Sequence, residues 1–168
     1  MSERLADRFL GHIDWDRPTA TSERAVLRAP EELRPRILRN QFVRIDDPSA
    51  SPALFLGRIV AGPFFPGPAD AGGPGPGAGT VLAEIEVQGE LIDGRPRDTS
   101  NRPAPGAAVY ELTPAEVCHL LGFSGDMLLG TLTGRDDLAV SLGSQNKDVL
   151  PRNLGIFGTV GSGKSNTT

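Results

Sequence analysis

The chain has 168 residues, a net charge of -4 and a single cysteine, Cys118. One cysteine excludes an internal disulfide, and the charged residues Glu3, Arg4, Asp7 and Arg8 exclude a signal peptide or a membrane-spanning helix at the start of the chain. We therefore expect a cytoplasmic protein without a membrane partner. Because there is no basic surplus, any contact with DNA has to come from a local patch.

Short strands are predicted along the first sixty residues. The segments 10–15, 25–28, 41–46 and 54–61 are rich in strand-forming residues, and the third alternates in strand fashion. Residues 1–11 are predicted to form a short helix that leads into the first strand.

An arginine-rich run between two of these strands is the best local candidate for a DNA contact. It contains Arg34, Arg36 and Arg39, and the acidic residues Glu31 and Glu32 lie beside it. Because the acids offset the arginines, we favour a solvated surface over a DNA site.

The middle of the chain combines a loop, a strand and a long connection. Residues 62–79 consist largely of glycine and proline, which predicts a flexible surface loop. Residues 80–88 alternate apolar and acidic side chains, which predicts a half-buried strand with its acids facing water. Residues 93–108 then connect to a short strand over 109–112.

A short helix is the clearest single element. Thr113 is the predicted N-cap, Pro114 the first helical residue, Glu116 the partner in a capping box and Gly122 the stop. The inner face is predicted to consist of Val117, Leu120 and Leu121.

Two residues of this helix could be mistaken for ligands. His119 is interpreted as a surface residue, because no second metal-binding residue type lies at a matching spacing. Cys118 is interpreted as a small, buried apolar residue.

A hairpin is predicted after the helix. Its strands cover 127–132 and 138–142, and its turn covers 133–137. Asp136 and Asp137 could resemble a catalytic pair, but a turn requires the same polar residues, so we assign both to the turn.

Six or more short strands, one or two short helices and frequent turns predict a mainly β fold for residues 1–145. A small closed barrel fits such a pattern, because closure removes the exposed strand edges.

A phosphate-binding loop of the Walker A type follows an apolar strand near the C-terminus. Its residues are Gly158, Thr159, Val160, Gly161, Ser162, Gly163, Lys164 and Ser165. The glycines allow several backbone N–H groups to turn toward one phosphate group. Lys164, the candidate catalytic residue, is expected to reach the β and γ phosphate oxygens of ATP, and the Ser165 hydroxyl to bind Mg²⁺.

The alternative is an accidental glycine-rich turn, since 21 of the 168 residues are glycine. The apolar residues Leu154, Ile156, Phe157 and Val160 supply the strand that a phosphate loop requires on its upstream side. We therefore favour nucleotide binding.

Only Asn166, Thr167 and Thr168 follow the loop. A strand, loop and helix form just the first part of a nucleotide-hydrolysing domain of the α/β, RecA-like kind. We expect residues 146–168 to be a linker and the start of that domain, and the chain to be an N-terminal fragment. Whether the fragment is an enzyme is left open; alone, it is expected to bind ATP poorly and to hydrolyse none.

The end of the chain resembles a known family. Residues 150–167, LPRNLGIFGTVGSGKSNT, are similar to the entry into the motor domain of the HerA-type hexameric DNA translocases of bacteria and archaea, in which Asn166 and Thr167 are part of the resemblance. Upstream, residues 55–60, 104–106 and 129–132 resemble the HAS-barrel of that family.

The resemblance implies a hexameric ring that moves double-stranded DNA through its centre with ATP and Mg²⁺. It implies that residues 158–166 bind the nucleotide, and that the barrel packs the ring and docks a nuclease of the NurA type or another effector. The process would be DNA end processing or defence against phage.

Two alternatives stay open. One is a subunit of a rotary or conjugation-type ATPase, against which the continuation Asn166-Thr167 argues. The other is a non-enzymatic barrel that regulates a full-length ring.

Overall fold

A computed structural model describes residues 6–14, 23–49, 53–65 and 79–145. These ranges are mainly β, with an α-helix and a 3-10 helix among their elements. The strands are β1 Phe9–Ile13, β2 Arg24–Pro30, β3 Phe42–Asp47, β4 Ala53–Phe64, β5 Thr80–Ile92, β6 Arg95–Arg97, β7 Ala108–Glu111, β8 Met127–Leu132 and β9 Arg135–Leu142. The 3-10 helix is Glu31–Arg36 and helix α1 is Pro114–Leu121.

Six strands close into an antiparallel barrel. The strand order is β2-β1-β7-β3-β4-β5, and β5 pairs again with β2, so that the sheet returns to its first strand. The short strand β6 extends the sheet beyond β5. The predicted small closed barrel is therefore confirmed.

Buried and exposed side chains alternate along the strands, so that one face of each strand lies in the barrel interior and the other on its surface. On β5, Ile85 is fully buried, whereas Glu84 and Glu86 on either side of it are partly exposed. This matches the pattern predicted for residues 80–88. The interior also contains Leu10, Ile13, Leu27, Val43, Ile45, Phe55, Ile59 and Val109.

A second apolar cluster lies outside the barrel. Phe42 and Leu56 are on the outer face of β3 and β4, where water would reach them if nothing packed there. Val117 of α1 and Leu138 of β9 pack against them. The cluster attaches both the helix and the β8–β9 hairpin to the barrel.

Helix α1 has the predicted caps. The Glu116 amide donates to Thr113 Oγ1 at 3.3 Å, and the Thr113 amide donates to Glu116 Oε2 at 2.8 Å. Gly122 ends the helix with a φ of 70°. The capping box, the first-turn proline and the glycine stop are confirmed.

Several predicted boundaries were wrong. The first strand begins at Phe9, so a helix does not continue to residue 11. Strand β4 continues through Pro63 to Phe64, because it stays paired with β5 as far as Leu82. The connection predicted over 93–108 contains β6, which pairs with the end of β5 after the turn at Asp93 and Gly94.

The assignment of the two acids to the hairpin turn was also wrong. Leu132 pairs directly with Arg135, which leaves a two-residue turn at Thr133 and Gly134. Asp136 and Asp137 therefore belong to β9.

Candidate functional site

The predicted nucleotide site lies outside the described residues. This applies to every residue assigned to it: Gly158, Thr159, Val160, Gly161, Ser162, Gly163, Lys164, Ser165 and Asn166. The loop therefore remains a prediction from sequence. What the structure describes is the barrel, helix and hairpin that precede it, and the place where the chain leaves the hairpin.

That exit is held beside the start of β8. The Ser144 amide donates to Asp126 Oδ1 at 2.7 Å, and the Ser144 hydroxyl donates a short hydrogen bond to Asp126 Oδ2. These hydrogen bonds, the hydroxyl's first, hold the pKa of Asp126 below its ordinary value. The chain toward the predicted phosphate loop therefore starts next to the first residue of β8.

Strand β8 exposes two adjacent leucines at this place. Leu128 and Leu129 are 67% and 58% exposed. A strand normally directs neighbouring side chains to opposite faces, but the β8–β9 register shifts between Leu128 and Gly130. Both leucines are therefore exposed at a point where the regular pairing of β8 with β9 is interrupted.

The two outer edges of the hairpin differ. The edge of β9 faces the end of α1, because the Ser141 amide donates to the Phe123 carbonyl at 3.3 Å and Cys118 Sγ lies 3.6 Å from the Ala139 carbonyl. No strand in the described ranges pairs with the outer edge of β8. We call Leu128, Leu129 and this open edge the leucine edge.

A groove of about 480 Å³ is a second candidate site, on the outer face of the barrel. His12, Asp46, Leu54 and Tyr110 are among its lining residues. Asp46 and Asp47 both line the groove. The Asp46 carboxylate is already engaged, because Arg44 donates to both of its oxygens at 2.5 Å. These hydrogen bonds raise the pKa of Arg44, and the pair is best understood as structural.

Asp47, at the end of β3, also has a structural role. The Ser49 amide and hydroxyl donate to Oδ1 at 2.9 and 2.6 Å, and the Ala104 amide donates to Oδ2 at 2.7 Å. Burial opposes ionisation of Asp47, but the Ser49 and Ala104 hydrogen bonds hold its pKa below the ordinary value. The carboxylate fixes the long connection before β7 to the barrel.

The three arginines of the arginine-rich run lie at the surface, as predicted. Its first part forms the 3-10 helix, which has no buried residue. Arg34 lies over the ring of Phe65 at 5.0 Å, and Arg36 donates to Glu111 at 3.2 Å. A contact of this run with DNA stays a prediction.

His119 is exposed on α1, as predicted for a surface residue of the helix. Cys118 is partly rather than fully buried. Across the part of the chain that the structure describes, no three His, Cys, Asp or Glu side chains come together to hold a metal ion. Within the same ranges, no helix has both the length and the apolar character needed to cross a membrane.

Sequence reasoning missed two of these features. The Asp47-Pro48-Ser49 sequence carries a signal for the Asp47 hydrogen bonds, because aspartate often accepts from the amide two residues later. The Ser144–Asp126 contact joins residues 18 positions apart, and no local pattern indicates it.

Comparison with the known protein families finds none that matches this chain. Comparison with curated proteins finds no similar sequence.

Proposed function

We propose that this chain is the N-terminal part of an ATP-dependent double-stranded DNA translocase or helicase of the HerA type. The observation that carries the proposal is the order of two units. A closed six-stranded barrel with an attached helix and hairpin comes first, and a complete phosphate loop with the continuation Asn166-Thr167 comes directly after it.

The chemistry of the loop residues supports nucleotide binding. Glycines at 158, 161 and 163 leave room for a phosphate group to approach the backbone N–H groups. Lys164 has the charge and length to reach the β and γ phosphate oxygens, and the Ser165 hydroxyl is a suitable ligand for Mg²⁺. Both would act only after the rest of the nucleotide domain completes the site.

The barrel would then serve as a rigid unit for assembly. A closed barrel offers few free strand edges, so contacts to other subunits have to use side chains or the exposed hairpin. We assign to it the packing of a hexameric ring and the docking of a NurA-type nuclease or another effector. DNA end processing and defence against phage are the two processes that fit this assignment.

Affinity labelling tests the nucleotide site. The chain has only two lysines, Lys147 and Lys164. Periodate-oxidised ATP, which forms adducts with lysines near a bound nucleotide, is reacted with the protein encoded by the whole reading frame that contains residues 1–168. Mass spectrometry of the peptides then compares the two positions.

We expect the label on Lys164, with protection by MgATP, and little label on Lys147. Lys164→Ala should remove the protected label, and Lys147→Ala is the matched control that should leave it unchanged. Equal labelling of both lysines, without protection by MgATP, would contradict the proposed site.

A further inference from the structure

Two pairs of large, exposed apolar side chains lie at separate places in the described ranges. One pair, Leu128 and Leu129, belongs to the leucine edge. The other consists of Phe64, the last residue of β4, and Phe65, which follows it. We call these two residues the phenylalanine pair. Adjacent exposed apolar side chains of this size are typical of contact surfaces.

The leucine edge is open to a partner. Strand β8 has no charged residue, and no strand in the described ranges pairs with its outer edge. The outer edge of β6, in contrast, carries Arg95, Pro96 and Arg97, which are residue types that oppose strand pairing. An uncharged, unpaired strand edge with two exposed leucines can receive apolar side chains without burying a charge.

The two pairs lie in opposite directions along β4. The turn of the β8–β9 hairpin lies beside Ile59, because Asn40 donates both to the Thr133 carbonyl at 3.4 Å and to the Ile59 carbonyl at 2.8 Å. Further from the turn, Leu138 packs with Leu56. The hairpin therefore runs from Ile59 toward the start of β4, whereas the phenylalanine pair is at its end. The leucine edge lies still further from the turn.

The charged neighbours of the two pairs have opposite signs. The exposed Arg34 guanidinium lies over the Phe65 ring at 5.0 Å, and the acids of the 3-10 helix are in its first turn, whereas its arginines are in the last. Asp126 is exposed beside the start of β8. The Ser144 hydrogen bonds hold its pKa below the ordinary value, so that Asp126 is negatively charged at neutral pH.

We propose that the leucine edge of one subunit docks on the phenylalanine pair and Arg34 of a second copy of this chain. Both complementary surfaces belong to the same chain, so that a second copy supplies what each one lacks. Burial of the apolar side chains provides the affinity, and the attraction between Arg34 and Asp126 sets the orientation.

A contact between two different surfaces of the same chain is heterologous. Repeated from subunit to subunit, it generates a ring when the rotation closes. The inference rests on the ring of the proposed function and names the surfaces by which neighbouring subunits would meet. It requires neither nucleotide nor DNA.

Disulfide trapping between chains tests the contact. The protein is again the one encoded by the whole reading frame that contains residues 1–168. A variant with Leu128→Cys is produced together with a variant with Phe64→Cys, both with Cys118→Ala, and the purified protein is oxidised without nucleotide. Because each engineered cysteine is on a different chain, a peptide that joins them reports a contact between subunits. Mass spectrometry measures this joined peptide.

The matched control replaces Phe64→Cys with Ile92→Cys. The two positions are both apolar ends of strands, and they are 47% and 45% exposed. Docking holds the two cysteines at an effective concentration far above that in solution, so we expect about fivefold or more joined peptide with Phe64→Cys than with Ile92→Cys.

Charge reversal tests the orientation. Arg34→Glu on the chain with Phe64→Cys brings two carboxylates together and should lower the yield of joined peptide about threefold. Arg34→Lys keeps the charge and should retain most of the yield. Arg95→Glu makes the same charge change on β6 and should have no effect. Equal losses with Arg34→Glu and Arg95→Glu would overturn the role of Arg34.

Other results would overturn the contact itself. These are equal yields with Phe64→Cys and Ile92→Cys, no joined peptide with either, or a peptide that joins Leu128→Cys to itself, which would show pairing of two β8 strands across a two-fold axis. Labelling of Lys164 in a protein that gives no joined peptide would remove this contact and leave the proposed nucleotide site standing.

Discussion

Gly57 on β4 and Ile85 on β5 meet inside the barrel with no space between them. A Cβ atom on Gly57 would lie 2.5 Å from Ile85 Cγ2 and 3.2 Å from Val43 Cγ2. Such contacts are well inside van der Waals distance, so a larger residue has to displace the side chains of Ile85 and Val43. Gly57 therefore lets these two side chains pack closely in the interior of the barrel.

Gly57→Val should lower the free energy of unfolding by about 1–3 kcal/mol or prevent folding, because it overpacks the barrel. Urea unfolding followed by circular dichroism measures the change. Ala139→Val, at an exposed position of β9, is the control and should stay within about 0.5 kcal/mol of the wild type. Equal stability of both variants would contradict tight side-chain packing around Gly57.

Asp47→Asn should destabilise the barrel by about 1–3 kcal/mol at neutral pH, because an amide nitrogen replaces one of the two accepting oxygens. Asp136→Asn removes the same charge at an exposed position and should have little effect. Chemical unfolding of the two variants and the wild type measures the difference.

The effect should depend on pH in a defined direction. The pKa of Asp47 is lowered in the folded protein, so its stabilisation is fully present above the ordinary carboxyl pKa of about 4 and is lost as pH falls through the lower folded value. The difference in unfolding free energy between the wild type and Asp47→Asn should therefore decrease only at acidic pH. A difference that stays constant down to about pH 2 would contradict this role of the carboxylate.

Thr113→Ala should cost about 1 kcal/mol, because the helix loses its N-cap. Glu116 would lose the Thr113 hydroxyl and keep its ion pair with Arg8. Thr113→Ser retains the hydroxyl and should therefore keep the stability close to that of the wild type. Thermal unfolding should place the serine variant close to the wild type and the alanine variant below both, and an alanine variant as stable as the wild type would argue against the cap.

Leu138→Ala should loosen the hairpin more than the barrel. Leu138 is fully buried in the cluster outside the barrel, and its truncation is expected to cost about 2–5 kcal/mol. Hydrogen exchange should rise most in β8 and β9. Leu38→Ala, at a side chain that is 55% exposed, is the control and should change neither region.

Much of the barrel and of helix α1 could be predicted because the relevant signals are local. Alternation over 80–88 reflects one face turned to the core, and the Thr113–Glu116 capping box is a contact between residues three positions apart. The short strand β6 was missed because its two arginines and proline carry no strand signal. It forms through pairing with the end of β5.

The functional surfaces were less predictable. The exposure of Leu128 and Leu129 depends on a register shift and on what packs nearby, and neither is visible in the residue types of β8. For the phosphate loop, the residue types alone indicate the chemistry, which is the binding of phosphate and Mg²⁺. The geometry of the loop, in contrast, depends on a sheet that the described residues do not include.

ATP hydrolysis by the protein encoded by the complete reading frame that contains residues 1–168 tests the central claim most directly. The rate is measured with and without linear double-stranded DNA, for the wild type, Lys164→Ala and the control Lys147→Ala. The account predicts hydrolysis that DNA stimulates, that Lys164→Ala abolishes and that Lys147→Ala retains. Hydrolysis that is indifferent to DNA, or that survives Lys164→Ala, would contradict a DNA-translocating ATPase built on this loop.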